Sequence, residues 1–169
     1  MPDALEIINK VLSQHSKITE FVKTTGDKMN DVDAVFSIRV AAYKTAQSAY
    51  STSDLLEKRN QLLKTIEILR DGLEKHFTYE EKVMPLVFGE LLLKDILHDH
   101  KKISGQIENV KTTLVDLEKL NHEELLSKRL VLIQSVNDLS DNVINHAQYE
   151  EKVLNMIKKV FEDKPAHPD

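Results

Sequence analysis

Four stretches of this chain carry apolar residues at alternating steps of three and four, the spacing that puts them on one side of an α-helix. The first runs through Leu5, Ile8, Leu12, His15, Ile18 and Val22. The second runs through Leu62, Ile66, Leu69, Leu73, His76, Glu80, Val83 and Val87. The third holds Leu93, Ile96, His100, Ile103, Ile107, Val110, Leu114 and Leu117. The fourth holds Leu125, Leu132, Val136, Leu139, Val143, His146, Glu150, Val153 and Ile157. Asp3 with Glu6 and Asp54 with Glu57 form capping-box patterns at two helix starts, and Asn121 with Glu124 opens the last. Gly26 predicts a stop for the first helix and Pro85 one for the second. The pattern predicts an all-α, up-down-up-down four-helix bundle. It forms a single domain over residues 1–163, with a frayed tail at 164–169.

Residues 27–53 carry a weaker pattern. Val32 to Tyr50 reads as an additional, helical segment between helices 1 and 2. Length gives that segment a task. His15 precedes Gly26 by 11 residues, whereas His76 follows Asp54 by 22. At about 1.5 Å per residue, helix 1 ends roughly 15 Å short of where helix 2 begins, and residues 27–53 bridge the gap. The other connections place His76, His100 and His146 at similar depth.

Each stripe is apolar except for one His, joined in helices 2 and 4 by a Glu one turn later. The segment HFTYEEKVM at 76–84 returns as HAQYEEKVL at 146–154. Residues i and i+4 lie about 40° apart around a helix, so His76 with Glu80 and His146 with Glu150 each share the core-facing side. His15, His76, Glu80, His100, His146 and Glu150 are thereby expected in one buried layer. A single His in such a stripe is ordinary core imidazole; four at matched depth on four helices are not. His98, His122 and His167 lie off the stripes and read as surface residues. Glu81 and Glu151 lie about 140° from their own His and are expected in solvent. Tyr79 and Tyr149, about 60° from it, read as flanking core or as hydroxyl donors to the site.

Two carboxylates buried together cannot both stay ionised without compensating charge. A pair of cations supplies it. Neutral imidazoles donate to the ions and the carboxylates bridge them. Mixed nitrogen and oxygen donors in a bundle core suit two iron ions with an oxo or hydroxo bridge, and also manganese or zinc. Two ferric ions, one oxo bridge and two carboxylates leave a net charge of about +2, which calls for acceptors behind the ligands.

Composition narrows the function further. None of the 169 residues is Cys, which removes disulfides and thiolate metal sites and fits a reducing, cytoplasmic setting. MPDALEIINK has neither the basic start nor the apolar run of a signal peptide, and no stretch is apolar enough to span a membrane. The net charge of −5 disfavours nucleic acid as a partner.

The spacing of these residues resembles the hemerythrin-like, or HHE cation-binding, family. That family pairs a His on helix 1 with His-x-x-x-Glu on helix 2, then repeats the pair on helices 3 and 4. His15, then His76 with Glu80, match the first half, and His100, then His146 with Glu150, match the second. The ferritin-like di-iron families place the carboxylate first, as Glu-x-x-His, and are disfavoured. The oxygen-carrying hemerythrins have five His, with His-x-x-x-His on helix 3 and His-x-x-x-x-Asp on helix 4. Here Ile96 and Ser104 stand one turn either side of His100, and Glu151 occupies the i+5 place beside Glu150. The four-His, two-Glu set is similar to di-iron proteins associated with nitrosative stress and repair of iron–sulfur centres. Those often carry a cysteine-containing N-terminal domain, whereas this sequence has no cysteine.

The resemblance implies a non-haem di-iron protein that binds or reacts with O2, NO or peroxide, with an electron donor as its further partner. Two imidazoles per ion leave one position open on each, which favours reaction over carriage. Ile18, Ile103 and Val143 are expected to wall out larger molecules. The alternative is an iron-storage or gas-sensing bundle without turnover. A more distant one is a histidine phosphotransfer module, because HDHKKISG at 98–105 is loosely similar to a His-x-x-Lys-Gly segment, with Lys102 where Gly belongs.

Overall fold

The computed structural model describes residues 3–44, 52–88, 90–117 and 122–162. They form four long helices: α1 (Ala4–Lys44), α2 (Thr52–Val83), α3 (Glu90–Asp116) and α4 (His122–Glu162). Asp3 starts α1 as its cap position requires, its carbonyl accepting from the Ile7 amide at 3.0 Å. Pro85 ends α2 by turning the chain into a 3-10 helix, Met84–Leu86. Each helix turns its stripe inward, and the chain runs up, down, up and down as its pattern predicts.

The segment after Gly26 differs from expectation. It is not an added element: α1 passes through Gly26 and runs on to Lys44. The seam continues as His15, Ile18, Val22, Thr25, Met29, Val32 and Phe36, all buried, at unbroken steps of three and four. Besides Gly26, which reads as a stop, Thr25 disguises it. Its hydroxyl donates to the Phe21 carbonyl at 2.9 Å, which lets a polar residue sit in an apolar seam. The roughly 15 Å shortfall is thus closed by the helix itself. Tyr50, the tail 164–169 and His167 lie outside the described residues.

A Cβ at Gly26 would meet nothing within 4 Å. Gly26→Ala should therefore stabilise the protein by roughly 0.5–1 kcal/mol, by restoring helix propensity. Urea unfolding measures it; a loss of stability would place Gly26 in a helix stop after all. On the opposite helix, a Cβ at Gly72 would lie 3.1 Å from the Phe21 ring, so that glycine permits close packing of α1 on α2. Arg129 ties α4 to α1 with a two-pronged grip on Asp33, at 2.6 and 3.1 Å.

The apolar interior falls into two clusters. The larger holds Ile18, Leu73, Ile103, Val143 and the residues stacked beyond them, as far as Phe36 and Leu132. The smaller holds Ile8, Val11, Met84, Phe88, Ile96 and Leu154. On every helix the residues between the two clusters are the ones that interrupt the stripe. A polar layer separates two dry cores.

Candidate metal centre

His15, His76, Glu80, His100, His146 and Glu150 are all buried, with Glu80 and Glu150 wholly removed from solvent. Their side chains converge. His15 Nε2 lies 3.1 Å from Glu150 Oε2 and 3.6 Å from Glu80 Oε1. His76 Nε2 lies 3.1 Å from Glu80 Oε1. On the other side, His100 Nε2 is 3.3 Å from Glu80 Oε2, and His146 Nε2 is 3.7 Å from Glu150 Oε1. Each carboxylate thus turns one oxygen to one His pair and its second oxygen to the other. The donors form two groups: His15, His76, Glu80 and Glu150, and Glu80, His100, His146 and Glu150, each with its ligand atoms within 4.8 Å of one another. The imidazoles pair edge to face, His15 with His76 at 4.9 Å and His100 with His146 at 5.0 Å.

Hydrogen bonding leaves this layer unfinished. The inward atoms His76 Nε2, His100 Nε2, His146 Nε2, both oxygens of Glu80 and Oε1 of Glu150 are buried without a hydrogen-bond partner. So many orphaned donor atoms aimed at one spot would be costly in a purely structural core. Cations would satisfy them, and the residues present fit that group. The buried groups also move one another's titration. Burial pulls the His15 imidazole down, but contacts with the Glu150 and Glu80 carboxylates prevail and raise it to about 9. Burial pushes His76 down to about 4, and burial with the neighbouring His100 does the same to His146. His100 stands above its ordinary value, because the Glu80 and Glu81 carboxylates override burial. Burial lifts the Glu150 carboxyl to about 7, with Glu80 adding to it. Glu80 stays well below the carboxylate range, since the His100 and His15 imidazoles outweigh its burial.

His15 and Glu150 have folded values above their unfolded ones, so each contributes stability in full at low pH. That contribution is lost as pH rises through about 9 for His15 and about 7 for Glu150. The metal-free protein should therefore melt at lower temperature at about pH 9 than at about pH 7. Cation binding needs the same groups deprotonated, so the metal-loaded protein should gain stability over that interval. Thermal unfolding with and without chelator tests the pair of slopes; parallel slopes would overturn the reading.

Behind the imidazoles stand side chains that sequence reasoning passed over. Gln14 Oε1 accepts from His76 Nδ1 at 3.0 Å, and Glu81 Oε1 from His100 Nδ1 at 3.1 Å. Glu151 Oε1 lies 3.5 Å from His15 Nδ1, and Asp99 Oδ2 lies 3.6 Å from His146 Nδ1. Glu81 and Glu151 are not simply solvated, as their angle suggested: each is about half exposed and reaches an imidazole on the next helix. The signal was present in the repeat, which copies the second Glu as faithfully as the first. Tyr79 packs against the smaller core cluster with the Lys10 ammonium 4.1 Å over its ring, whereas Tyr149 is exposed. His98 is exposed.

The sequence model of one family, the hemerythrin HHE cation binding domain, matches residues 6–157. The chain belongs to the hemerythrin HHE cation binding domain family. The match spans all four helices and every residue of the buried layer. No curated protein and no solved structure matches the chain. This hemerythrin-family chain has, among its described residues, no helix long and apolar enough to cross a membrane.

Proposed function

We propose that this hemerythrin-family protein is a non-haem di-iron protein whose buried centre binds or reacts with O2, NO or peroxide. The observation that carries the reading is the division of Glu80 and Glu150, each offering one oxygen to each His pair. His15 and His76 would hold one ion and His100 and His146 the other, with the two Glu shared. When bound, such a pair of ions supplies electrons and open coordination positions for a small ligand. The chain supplies the rest. Ile18, Leu73, Ile103 and Val143 close one side, each three residues from a site His and fully or nearly fully buried. Val11, Ile96, Met84 and Leu154 close the other. These walls exclude bulk water, which strengthens every charge interaction within, and they admit only small guests. A cytoplasmic setting and an electron donor fit this chemistry. Iron storage or gas sensing without turnover is the second reading, supported by the same donor set. Phosphotransfer leaves the four buried His without a role.

Metal analysis after iron reconstitution tests the centre: about two ions per chain, with oxo-bridge absorption, are expected. Fewer than one ion would sink it. Titration of the reduced protein with NO tests the open positions, and NO at both irons is expected. Ile96 is 2% exposed and lies one turn below His100, facing the core, whereas Ser104 is exposed. Ile96→His should therefore add an imidazole beside the His100 pair and reduce NO uptake to one iron. Ser104→His should leave uptake unchanged. Equal effects from the two variants would show that the open positions lie elsewhere.

A further inference from the structure

The repeat relates the halves of the centre by a fixed shift. Positions on α1 map to α3 by adding 85, and positions on α2 map to α4 by adding 70. His15 then corresponds to His100, His76 to His146, Glu80 to Glu150 and Glu81 to Glu151. The contacts behind the imidazoles obey the same mapping. Glu81 reaches His100 from α2 as Glu151 reaches His15 from α4. Gln14 hydrogen-bonds His76 from α1, and Asp99 of α3 stands 3.6 Å from His146, an ion-pair distance without a hydrogen bond.

Two departures from this symmetry lie against the imidazoles. An amide, Gln14, stands where the other half has a carboxylate, Asp99. The second is Phe77, whose counterpart is Ala147. The Phe77 ring stacks on His100 at 3.8 Å and 14°, and lies farther from His146 and His76, at 5.8 and 6.0 Å. Ala147 has no ring to offer His15. Both differences act in favour of the same half. The His100 and His146 imidazoles each have a carboxylate behind them, and the one close ring stack falls on His100. The His15 and His76 imidazoles share one carboxylate and one amide between them.

We propose that the two halves hold their cations unequally: the His100/His146 half fills first and holds tightest, and the His15/His76 half is the exchangeable one. This rests on the reading that the six residues hold two cations. A carboxylate behind an imidazole strengthens its inward nitrogen as a donor and offsets the cation's charge. An amide oxygen orients the ring but brings no net charge. The Phe77 stack also holds His100 in its binding orientation before the cation arrives, so less freedom is lost on binding. Lys102 does not cancel the effect. Its ammonium donates to Asn142 Oδ1 at 2.9 Å, and its counterpart under the repeat is another lysine, Lys17.

Altering such backing groups changes metal affinity by about 10–100-fold. Asp99 is 45% exposed, which puts the expected separation near the low end, about tenfold. The experiment is a stepwise titration of the metal-free full-length chain with Co(II), followed by absorption and by paramagnetically shifted imidazole proton signals. Two events separated by about tenfold are expected, and at one equivalent the shifted signals should belong to His100 and His146. Asp99→Asn should weaken the first event and merge it toward the second. Gln14→Glu should merge them from the other side, by tightening the second event. Two ions entering in one indistinguishable step would overturn the inequality and leave the two-cation reading standing. First-equivalent signals from His15 and His76 would overturn the assignment of the halves. Binding of fewer than two ions would instead remove the reading on which the proposal rests.

Discussion

Alanine at Glu80 or at Glu150 should remove both of the proposed cations, not one. Each carboxylate turns one oxygen to each His pair, so a single substitution opens both halves. Metal content after dialysis measures this directly. Stability should follow the metal. A ligand bound only to the folded state at about a thousandfold its dissociation constant stabilises by roughly 4 kcal/mol, and the variants forfeit that. The metal-free state should respond in the opposite direction to the isosteric change Glu150→Gln. Burial and the adjacent Glu80 raise the Glu150 carboxyl to about 7, so an ionised Glu150 costs the empty fold stability. Above that pH, Glu150→Gln should stabilise the chelated protein while weakening the metal-loaded one. Variants that keep one ion per chain would show that the carboxylates do not bridge.

Glu81→Ala and Glu151→Ala should each keep the fold and lower cation affinity by about 10–100-fold. Each acts across a helix boundary: Glu81 of α2 on His100 of α3, and Glu151 of α4 on His15 of α1. The shorter contact predicts the larger effect, so Glu81→Ala should weaken binding more than Glu151→Ala. Competition with a chelator of known affinity measures both. Unchanged affinity in both variants would return these residues to the solvent-facing role that their angle on their own helices implies.

The six converging residues were legible in the chain because helical period is a local property. His76 and Glu80 must share a face whatever surrounds them, and four matched interruptions of four apolar stripes leave them little place but a common layer. The alternation of up and down helices followed from stripe length and connection length for the same reason. Even the run of α1 past Gly26 was written in the steps of three and four, hidden by the glycine, which reads as a stop, and by Thr25, whose hydroxyl bonds within its own helix.

Tertiary structure decided what depends on a neighbour. Whether Glu81 or Gln14 meets an imidazole is a matter of which helix lies alongside, and the angle about one axis carries no information on that. The division of each carboxylate between two His pairs likewise appears only when four helices meet, because it is set by distances between chain segments far apart in sequence. A periodic pattern dictates which side of a helix faces inward; what it faces is fixed by the packing of the other three.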